Sequence, residues 1–457
     1  MMDVAEALNL EGINLHGCIQ LRNINPSIGL LRKLVFLFLV DCKSLVSLPN
    51  TILGLSSLKY LNVSGCTKLY KNVLLDEARN REHLKKLRLL ESPIQFQSTL
   101  SLLKNMFLWP LDLLYPKAQR DSISCLLPSS PTLPCLRLLN LSFCNLVQIP
   151  DAIAELRCLE KLNLKGNNFV TLPNLKDLSR LYYLDLQHCK QFKYLPDLPS
   201  RTHLPSKFYM RPFLRLKVRS DSLFGWLNDH HYEAGLIIFN CPELVERERC
   251  ISMSVSWMMQ IFQATQQCKC LDASILLATN IQSIIPESEI PRWFNNQFVS
   301  MDNSIIIDPS PVTHDNNWIG VVCCAIFRLG NEYDVRFPNP TYLQFPRIPK
   351  FPVDLRKDPV IDQSDHMKLF YFRRQDFTRP CWVGSDTRKF ISLKLRMEDI
   401  QIFHHDRLGY QKFVTVDVKK YGYRWVYEED QQPNFTLMYG KNLTDLKRKF
   451  SVIEENR

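Results

Sequence analysis

Histidines are the first residues to consider for chemistry, because a histidine pair can hold a metal ion or transfer protons. Two adjacent pairs occur, His230-His231 and His404-His405. Both stand in polar stretches, which favours solvated surface residues, with metal binding or acid–base catalysis as the alternative. The motifs HExxH, GxSxG and GxxxxGK[ST] are absent from the sequence. We therefore nominate no catalytic residue, no cofactor and no cofactor-binding residue.

Fifteen cysteines raise the question of disulfides or zinc. No CxxC pair is present, and Cys268, Cys270, Cys323 and Cys324 lack partner pairs at zinc spacing, so no metal ligand is nominated. Other cysteines recur at one position of a repeated pattern, where they are interpreted as packing residues. Reduced thiols of this kind are typical of a cytoplasmic or nuclear protein. The recurring cysteines are Cys18, Cys42, Cys66 and Cys144.

The repeated pattern is LxxLxLxx(C/N)xx(L/F)xx(L/I)P. It occurs three times between Leu133 and Pro196, where Cys144, Asn167 and Cys189 follow one another after 23 and 22 residues. The three earlier cysteines of the pattern stand 24 residues apart. A period in the low twenties with this leucine spacing predicts a solenoid of leucine-rich repeats.

The LxL segment explains how such a solenoid would bind a partner. Its two leucines alternate with polar residues, so a short strand turns leucines into the core and the polar residues outward. Repeats stack to bury the leucines, and the outward residues then share a concave parallel sheet. We predict that this face contacts a protein partner. The candidate residues are Tyr60, Asn62, Ser64, Lys161, Asn163, Lys165, Tyr183, Asp185 and Gln187.

The net charge of +11 favours acidic partners or phosphate only weakly. The first residues contain neither a basic nor an apolar signal region, and no apolar run is long enough to span a bilayer. Because Met1 lies almost directly before a repeat, the apolar end of the stack would be bare, and we expect further chain to precede it.

Two segments interrupt or follow the repeats. The period fails at about 70–132, which is interpreted as an insert or degenerate repeats, with a ligand-binding loop as the alternative. Residues 198–218 interleave basic and aromatic side chains without an acid. This segment is interpreted as a solvated boundary, with phosphate or nucleic-acid binding as the alternative.

The chain changes character from Ile284. Short β-branched and aromatic runs alternate with Pro-, Asn- and Asp-rich connections, which predicts an all-β sandwich. Before it, IIFNCPEL (237–244) indicates one more strand and turn, and 250–266 a docked helix. The predicted organisation is a repeat solenoid at 1–199, a cap or connector at 200–283, a β-sandwich at 284–430 and a polar tail at 431–457.

The connector is rich in apolar and aromatic residues, unlike a flexible linker. It must bury those side chains, and the end of the solenoid is the nearest apolar surface. We therefore expect the sandwich to be fixed at the end of the repeats. The alternative is a small independent domain at 200–283 with mobile junctions.

Several segments together with the repeats resemble plant TIR-type nucleotide-binding leucine-rich-repeat immune receptors. The resemblance covers most of residues 1–430 and matches the C-terminal half of those receptors, in which a jelly-roll or immunoglobulin-like domain follows the repeats. The pairing of EIPRWF with a VKK…VYEED ending is specific, whereas the repeat alone is not. The segments are FNCPEL, IPESEIPRWFNNQ (285–297), NWIGVVCCAIF (317–327), SDHMKLFYF (364–372) and VKKYGYRWVYEED (418–430).

This resemblance implies an α/β repeat solenoid followed by a jelly-roll/Ig-like sandwich, and a function in immunity. In that family the two regions recognise a pathogen effector or a guarded host protein, and TIR domains then cleave a nicotinamide dinucleotide. This chain has neither a TIR region nor a phosphate loop, so we expect a recognition module without enzyme activity. The alternatives are a phosphate or nucleic-acid binder and a glycan-binding protein without immune signalling.

Overall fold

The computed structural model describes residues 7–69, 133–199, 233–267, 280–301, 303–308, 317–336, 364–374, 393–396, 400–402 and 410–427. The chain divides into two compact units, one of residues 1–159 with 166–178 and one of residues 160–165 with 179–457. Several sequence predictions lie outside the described residues: the insert at 70–132, most of the basic and aromatic segment, both histidine pairs and the polar tail.

The first unit contains short parallel strands, one for each described repeat. They pair in chain order without stagger, so the central residues Ile13, Leu37, Leu61 and Leu139 align across the sheet. All four side chains are buried, which gives the continuous apolar core that stacked repeats require. The strands are β1 (Gly12–Asn14), β2 (Phe36–Phe38), β3 (Tyr60–Asn62) and β4 (Leu138–Asn140).

Short 3-10 helices form the return segments of three repeats. Each contributes one isoleucine to the core, and Ile28, Ile52 and Ile153 are all buried. Each helix is followed by a buried leucine whose N–H donates to the carbonyl of that isoleucine. The helices are η1 (Pro26–Leu30), η2 (Asn50–Gly54) and η3 (Asp151–Glu155).

Every repeat turns away from its strand through the same backbone conformation. The residue directly before the Cys/Asn position has a positive φ each time. Glycine adopts this left-handed conformation at little cost, whereas other residues are strained there. Phe143, with φ of 55°, is the bulkiest side chain at this position. The full set is Gly17, Asp41, Gly65, Phe143, Gly166, His188 and Asn240.

The Cys/Asn position forms a ladder of hydrogen bonds along the stack. Each buried thiol donates to the carbonyl of the second apolar residue of LxL in the strand before it. Asn167 donates through Nδ2 to Leu141 O at 2.9 Å, and its Oδ1 accepts from the N–H groups of Cys144 and Leu146. The repeat pattern predicts a small residue here that can satisfy turned backbone inside the stack, and these bonds confirm it. The thiol bonds are Cys42 to Leu15, Cys66 to Leu39, Cys144 to Val63, Cys189 to Leu164 and Cys241 to Leu186, at 3.0–3.3 Å.

The second unit begins with three more parallel repeat strands, β5 (Lys161–Asn163), β6 (Tyr183–Asp185) and β7 (Glu233–Ile237). The extra strand predicted at IIFNCPEL (237–244) exists but lies earlier, at Glu233–Ile237, so the two ranges share only Ile237 and the rest of the predicted segment forms the turn after the strand. The docked helix is also confirmed as α1 (Arg247–Gln267), whose Trp257 and Phe262 are buried and whose Phe262 ring lies 4.0 Å from that of Tyr371.

The C-terminal strands continue the same sheet within this unit. β8 pairs in parallel with β7 and antiparallel with β12, and the order runs β5-β6-β7-β8-β12-β11-β15-β14, with β9 on β15. β10 and β13 pair separately. The strands are β8 (Asn280–Pro286), β9 (Asn296–Val299), β10 (Ser304–Ile307), β11 (Trp318–Arg336), β12 (His366–Arg373), β13 (Leu393–Arg396), β14 (Ile400–Ile402) and β15 (Tyr410–Tyr427).

One strand is longer than the sequence predicts. The β-branched and aromatic runs KFVTVDV (412–418) and YGYRWVY (421–427) predict two strands, but both belong to β15. Phe327 pairs with Val418 and Ile326 with Lys420, so Lys419 is an extra residue between two ladder pairs. A β-bulge therefore accommodates the charged Lys-Lys step that looks like a connection in the sequence.

Candidate partner-recognition site

The nine predicted partner-binding residues fall into two groups. Those at 60–64 lie on or directly after β3 in the first unit, and the other six lie on or directly after β5 and β6 in the second. The parallel register places Lys161 beside Tyr183 and Asn163 beside Asp185. The structure thus brings the six residues of the second unit together as one polar strip.

The middle residue of each predicted group has a local role that the sequence reasoning missed. Asn62 Oδ1 accepts a hydrogen bond from the N–H of Ser64 at 3.0 Å, which closes an Asx turn at the end of the strand. This turn-closing role explains why Asn or Asp recurs at the position, with no need for a binding protein. The recurrence of Asn or Asp between the two apolar residues of LxL is the sequence feature that could have indicated this role. The same bond occurs at Asn14, Asn140, Asn163 and Asp185.

Lys161 links three strands of the second unit. From β5 its Nζ donates to Glu233 O on β7 at 3.1 Å and lies 5.1 Å from the ring centre of Tyr183 on β6. Burial lowers the pKa of Lys161 to about 8, although the carboxylates of Glu233 and Glu160 oppose the shift. The lysine is thus a buried cation stabilised by a carbonyl and aromatic faces.

Asp185 is the centre of the polar strip. Its Oδ2 accepts from the Tyr183 hydroxyl at 3.4 Å and from Gln187 Nε2 at 3.1 Å, and Lys165 Nζ lies 4.0 Å away. Burial raises the pKa of Tyr183 well above its ordinary value, and the charges of Asp185 and Glu233 add to the effect. A neutral tyrosine hydroxyl can donate to Asp185, so the network is internally complementary.

All nine predicted residues are buried in this structure, with exposed fractions from 0% for Asp185 and Gln187 to 7% for Ser64. Tyr60 is 6% exposed and Tyr183 1%. Many of their polar atoms are engaged in caps and in the Asp185 network, whereas Asn163 Nδ2 is buried without a hydrogen-bond partner among the described residues. A partner that contacts them must therefore gain access to side chains that are covered here, and their role in binding stays a prediction.

The junction of β7 with β8 is a second feature that sequence reasoning did not identify by residue. Ile238 N–H donates to Ile284 O at 2.7 Å, and Leu236 N–H donates to Ser283 Oγ at 3.2 Å. Gly235 has a φ of 128°, and a Cβ there would lie 1.8 Å from Gln282 O. Only glycine allows this approach. The sequence feature that could have indicated this close approach is the isolated glycine within the segment that forms β7.

In the part of the chain that the structure describes, no three His, Cys, Asp or Glu side chains are grouped so as to hold a metal ion. None of the helices in the described ranges is long and apolar enough to cross a bilayer.

Comparison with known proteins places these features among plant proteins. Residues 285–432 match the C-JID domain family. The chain is 27% identical over 321 residues to the disease resistance-like protein DSC1 of Arabidopsis thaliana, covering 70% of the chain and 25% of that protein. It is 35% identical over 167 residues to the TMV resistance protein N of Nicotiana glutinosa, covering 36% and 14%.

A further relative is the disease resistance protein RPS6 of Arabidopsis thaliana, 27% identical over 396 residues that cover 71% of the chain and 34% of that protein. The chain therefore spans about a third or less of the length of these relatives. A solved leucine-rich-repeat protein of Leptospira interrogans aligns over 55% of each chain at 18% identity with a TM-score of 0.24, too low to equate the folds. The family match and the relatives confirm the resemblance: the chain combines leucine-rich repeats with a C-JID domain and is similar to the C-terminal part of TIR-type nucleotide-binding leucine-rich-repeat disease resistance receptors.

Proposed function

We propose that this chain is the recognition module of an intracellular plant immune receptor. It binds a pathogen effector or a guarded host protein through the repeats and the C-JID domain together, and so triggers defence. The proposal is supported by the similarity to disease resistance proteins and by the C-JID match. We further propose that the C-JID strands form a jelly-roll or Ig-like arrangement, within the domain boundaries expected from the sequence.

The observation that carries the proposal is the shared sheet of the second unit. Repeat strands β5, β6 and β7 continue through β8, whose last two residues begin the C-JID match, into C-JID strands β12, β11 and β15. Main-chain bonds continue across the join, from Leu186 N–H to Ile237 O and from Ile238 N–H to Ile284 O. A single protein ligand can then contact repeat and C-JID residues held in fixed register, which a flexible tether would not provide.

Signalling is proposed to come from other domains. In an intact receptor, TIR and nucleotide-binding domains joined to this module would carry nucleotide binding and dinucleotide cleavage. We propose that the chain itself is not an enzyme, needs no cofactor, and acts in the cytoplasm, or also in the nucleus. A pure preparation should therefore turn over neither nucleoside triphosphates nor a nicotinamide dinucleotide.

The buried polar strip is proposed to act once a partner gains access to it. Aromatic and long polar side chains are frequent interface anchors, and the strip contains Tyr183 with Lys161 and Gln187. The test joins the chain to its TIR and nucleotide-binding domains in plant cells and measures cell death against a panel of pathogen effectors. An effector that triggers the response must also bind the isolated chain.

Because these residues are buried, the variants must distinguish a loss of recognition from a loss of folding. Tyr60→Ala and Tyr183→Ala should abolish the response, while Tyr60→Phe and Tyr183→Phe keep the packing and serve as matched controls for stability. A response unchanged in both alanine variants, with the proteins folded, would remove these residues from the recognition surface. If no effector bound the chain at all, the recognition function itself would be wrong.

A further inference from the structure

Strand β9 of the C-JID domain is flanked by an unusual concentration of exposed apolar side chains. Phe298 is 45% exposed, Val299 69%, Met301 93% and Ile306, on β10, 43%. The other exposed large apolar residues of the described chain are dispersed along it. Ser300 Oγ donates to Ser304 O at 3.2 Å, which ties the end of β9 to the start of β10. These four residues therefore belong to one local structure.

The backbone of β9 is bonded along one edge. β9 pairs antiparallel with β15, with Phe298 opposite Tyr421 and Val299 opposite Lys420. Ser300 N–H donates to Lys419 O at 2.9 Å, so Ser300 and Lys419 form a hydrogen-bonded pair. Such pairs alternate along an antiparallel ladder. Phe298 therefore directs its N–H and C=O toward β15, whereas Gln297 and Val299 direct theirs to the opposite edge.

That opposite edge is unpaired in the part of the chain that the structure describes. No other described strand pairs with β9, and no described main-chain bond involves the N–H or C=O of Gln297 or Val299. Edge strands are commonly protected from added strands by lysine, proline or inward charges. The sequence from Asn295 to Met301, NNQFVSM, contains none of these.

The side chains fit an extended apolar segment in particular. Phe298 covers one face of the edge, where its ring stacks 5.3 Å from that of Tyr421. Val299 projects from the other face, and Met301 extends beyond the end of the strand. Residues 295–301 carry no charge, and the nearby Lys420, which lies opposite Val299, is already paired with Glu289 at 2.8 Å. An apolar, uncharged strand can therefore approach this edge without desolvating an unpaired ion. A second copy of this chain is disfavoured, since each copy carries a net charge of +11.

We propose that the edge of β9 opposite β15, which no described strand covers, is a strand-addition site, at which an extended apolar segment of the recognised protein pairs with the main chain of Gln297 and Val299. This rests on the proposed function only for the identity of the partner as a protein recognised in defence. Main-chain bonds would supply affinity, and Phe298, Val299 and Met301 would supply contacts for alternate side chains of the added strand.

Hydrogen exchange of the full chain tests the edge before any partner is known. Amides of Phe298 and Ser300 should exchange slowly, whereas those of Gln297 and Val299 should exchange rapidly. The probe is a short blocked peptide of alternating Thr and Val. It should slow exchange at Gln297 and Val299, and the same peptide N-methylated on alternate amides, which cannot form the ladder, should leave them unchanged.

Variants at one position separate main-chain pairing from apolar adsorption. Val299→Pro removes the outward N–H without removing a bond to β15, and should weaken probe binding at least about fivefold, the worth of one hydrogen bond. Val299→Thr keeps the N–H and serves as the matched control, with little expected change. Ser300→Pro instead removes the hydrogen bond from Ser300 N–H to Lys419 O. It should therefore lower the stability of the domain, and not only weaken probe binding to a folded protein.

Three results would overturn the proposal: slow exchange at Gln297 and Val299 without the probe, equal binding of the N-methylated peptide, or undiminished binding by folded Val299→Pro. Sedimentation as a dimer that Val299→Lys converts to a monomer would assign the edge to a second copy instead. Probe binding in a chain that recognises no effector would leave the strand-addition site standing while the immune function failed, so the two claims are tested separately.

Discussion

The repeat strands and the C-JID strands share one sheet in the second unit, yet different contacts hold them. Each repeat uses the same small set: aligned apolar residues, a left-handed turn residue and one Cys or Asn in the ladder. The C-JID strands are long and non-repeating, and depend on individual aromatic contacts and a bulge in β15. Damage to one repeat of the first unit should thus remain local, whereas one lost contact in the C-JID domain should affect the whole domain.

The largest effect is expected at the join between the two regions. Gly235→Ala would place a Cβ against Gln282 O in a backbone conformation that only glycine adopts readily. We expect a loss of about 4–6 kcal/mol in stability, from backbone strain and overpacking combined. Gly54→Ala, whose Cβ would have only one neighbour, at 3.4 Å, is the matched control. Chemical denaturation measures both, and an unaffected Gly235→Ala protein would refute the β7–β8 pairing.

Removal of Trp293 tests the dependence of the C-JID domain on single aromatic residues. Trp293 is 8% exposed, and its ring stacks on Phe294 at 3.9 Å. Trp293→Ala should cost about 3–5 kcal/mol and reduce solubility. Trp318 also adjoins an apolar run in the sequence, which predicts a core position and the same cost, but the residue is only half-buried against the edge of Trp425, so Trp318→Ala should cost clearly less. Equal thermal shifts for the two variants would contradict this account.

Substitution of a single residue in the Cys/Asn hydrogen-bond ladder should lower stability by less than the two changes above. Asn167→Ala removes the bond to Leu141 and leaves the buried N–H groups of Cys144 and Leu146 without their acceptor, for a loss of about 2–3 kcal/mol. Asn167→Cys restores the donor found in the other repeats and should recover part of that loss. Exchange protection should fall mainly in neighbouring repeats. A global loss of protection would argue against a local effect.

The smallest effect is expected at the bulge. Burial alone would raise the pKa of Asp365, but hydrogen bonds from Lys419 and Arg328 outweigh it, so the pKa is lowered from 3.8. A lowered carboxyl pKa adds stability above the unfolded value, and the contribution is lost as the pH falls through the folded value. Asp365→Asn should therefore cost about 1 kcal/mol at neutral pH and almost nothing well below pH 3.8. A difference independent of pH would exclude this ion pair as the cause.

The repeats were predictable because the same residue pattern and the same contacts recur along the chain. Leucine spacing gives the strands, and the recurring cysteine gives the ladder. The same recurrence did not reveal a second role: Asn62, Asn163 and Asp185 occupy outward positions of an ideal strand and also serve as strand caps. Their role in partner binding stays a prediction. The outward direction of a side chain within one repeat does not determine whether other parts of the protein cover that face of the sheet. Burial of the strip depends on long-range packing, which periodicity does not encode.

The C-JID region was less predictable for a related reason. Its runs were recognised as strands, but pairing partners far apart in sequence, such as Leu369 with Ser283, have no local signal. Lys419 and Lys420 look like a connection, yet β15 continues through them because a bulge and Asp365 accommodate the charge. The join at Gly235 could be suspected from an isolated glycine, but not assigned to Gln282.

Repeat strands β5, β6 and β7 of the second unit and the C-JID strands should form one cooperative sheet. Native-state hydrogen exchange across a denaturant series tests this at two amides, Leu186 N–H within the repeats and Ile238 N–H at the join to β8. Both amides should exchange only in one shared unfolding step, with the same free energy and denaturant dependence. Exchange of Ile238 in an earlier step, while Leu186 stays protected, would show a separately unfolding C-JID domain and contradict the claim.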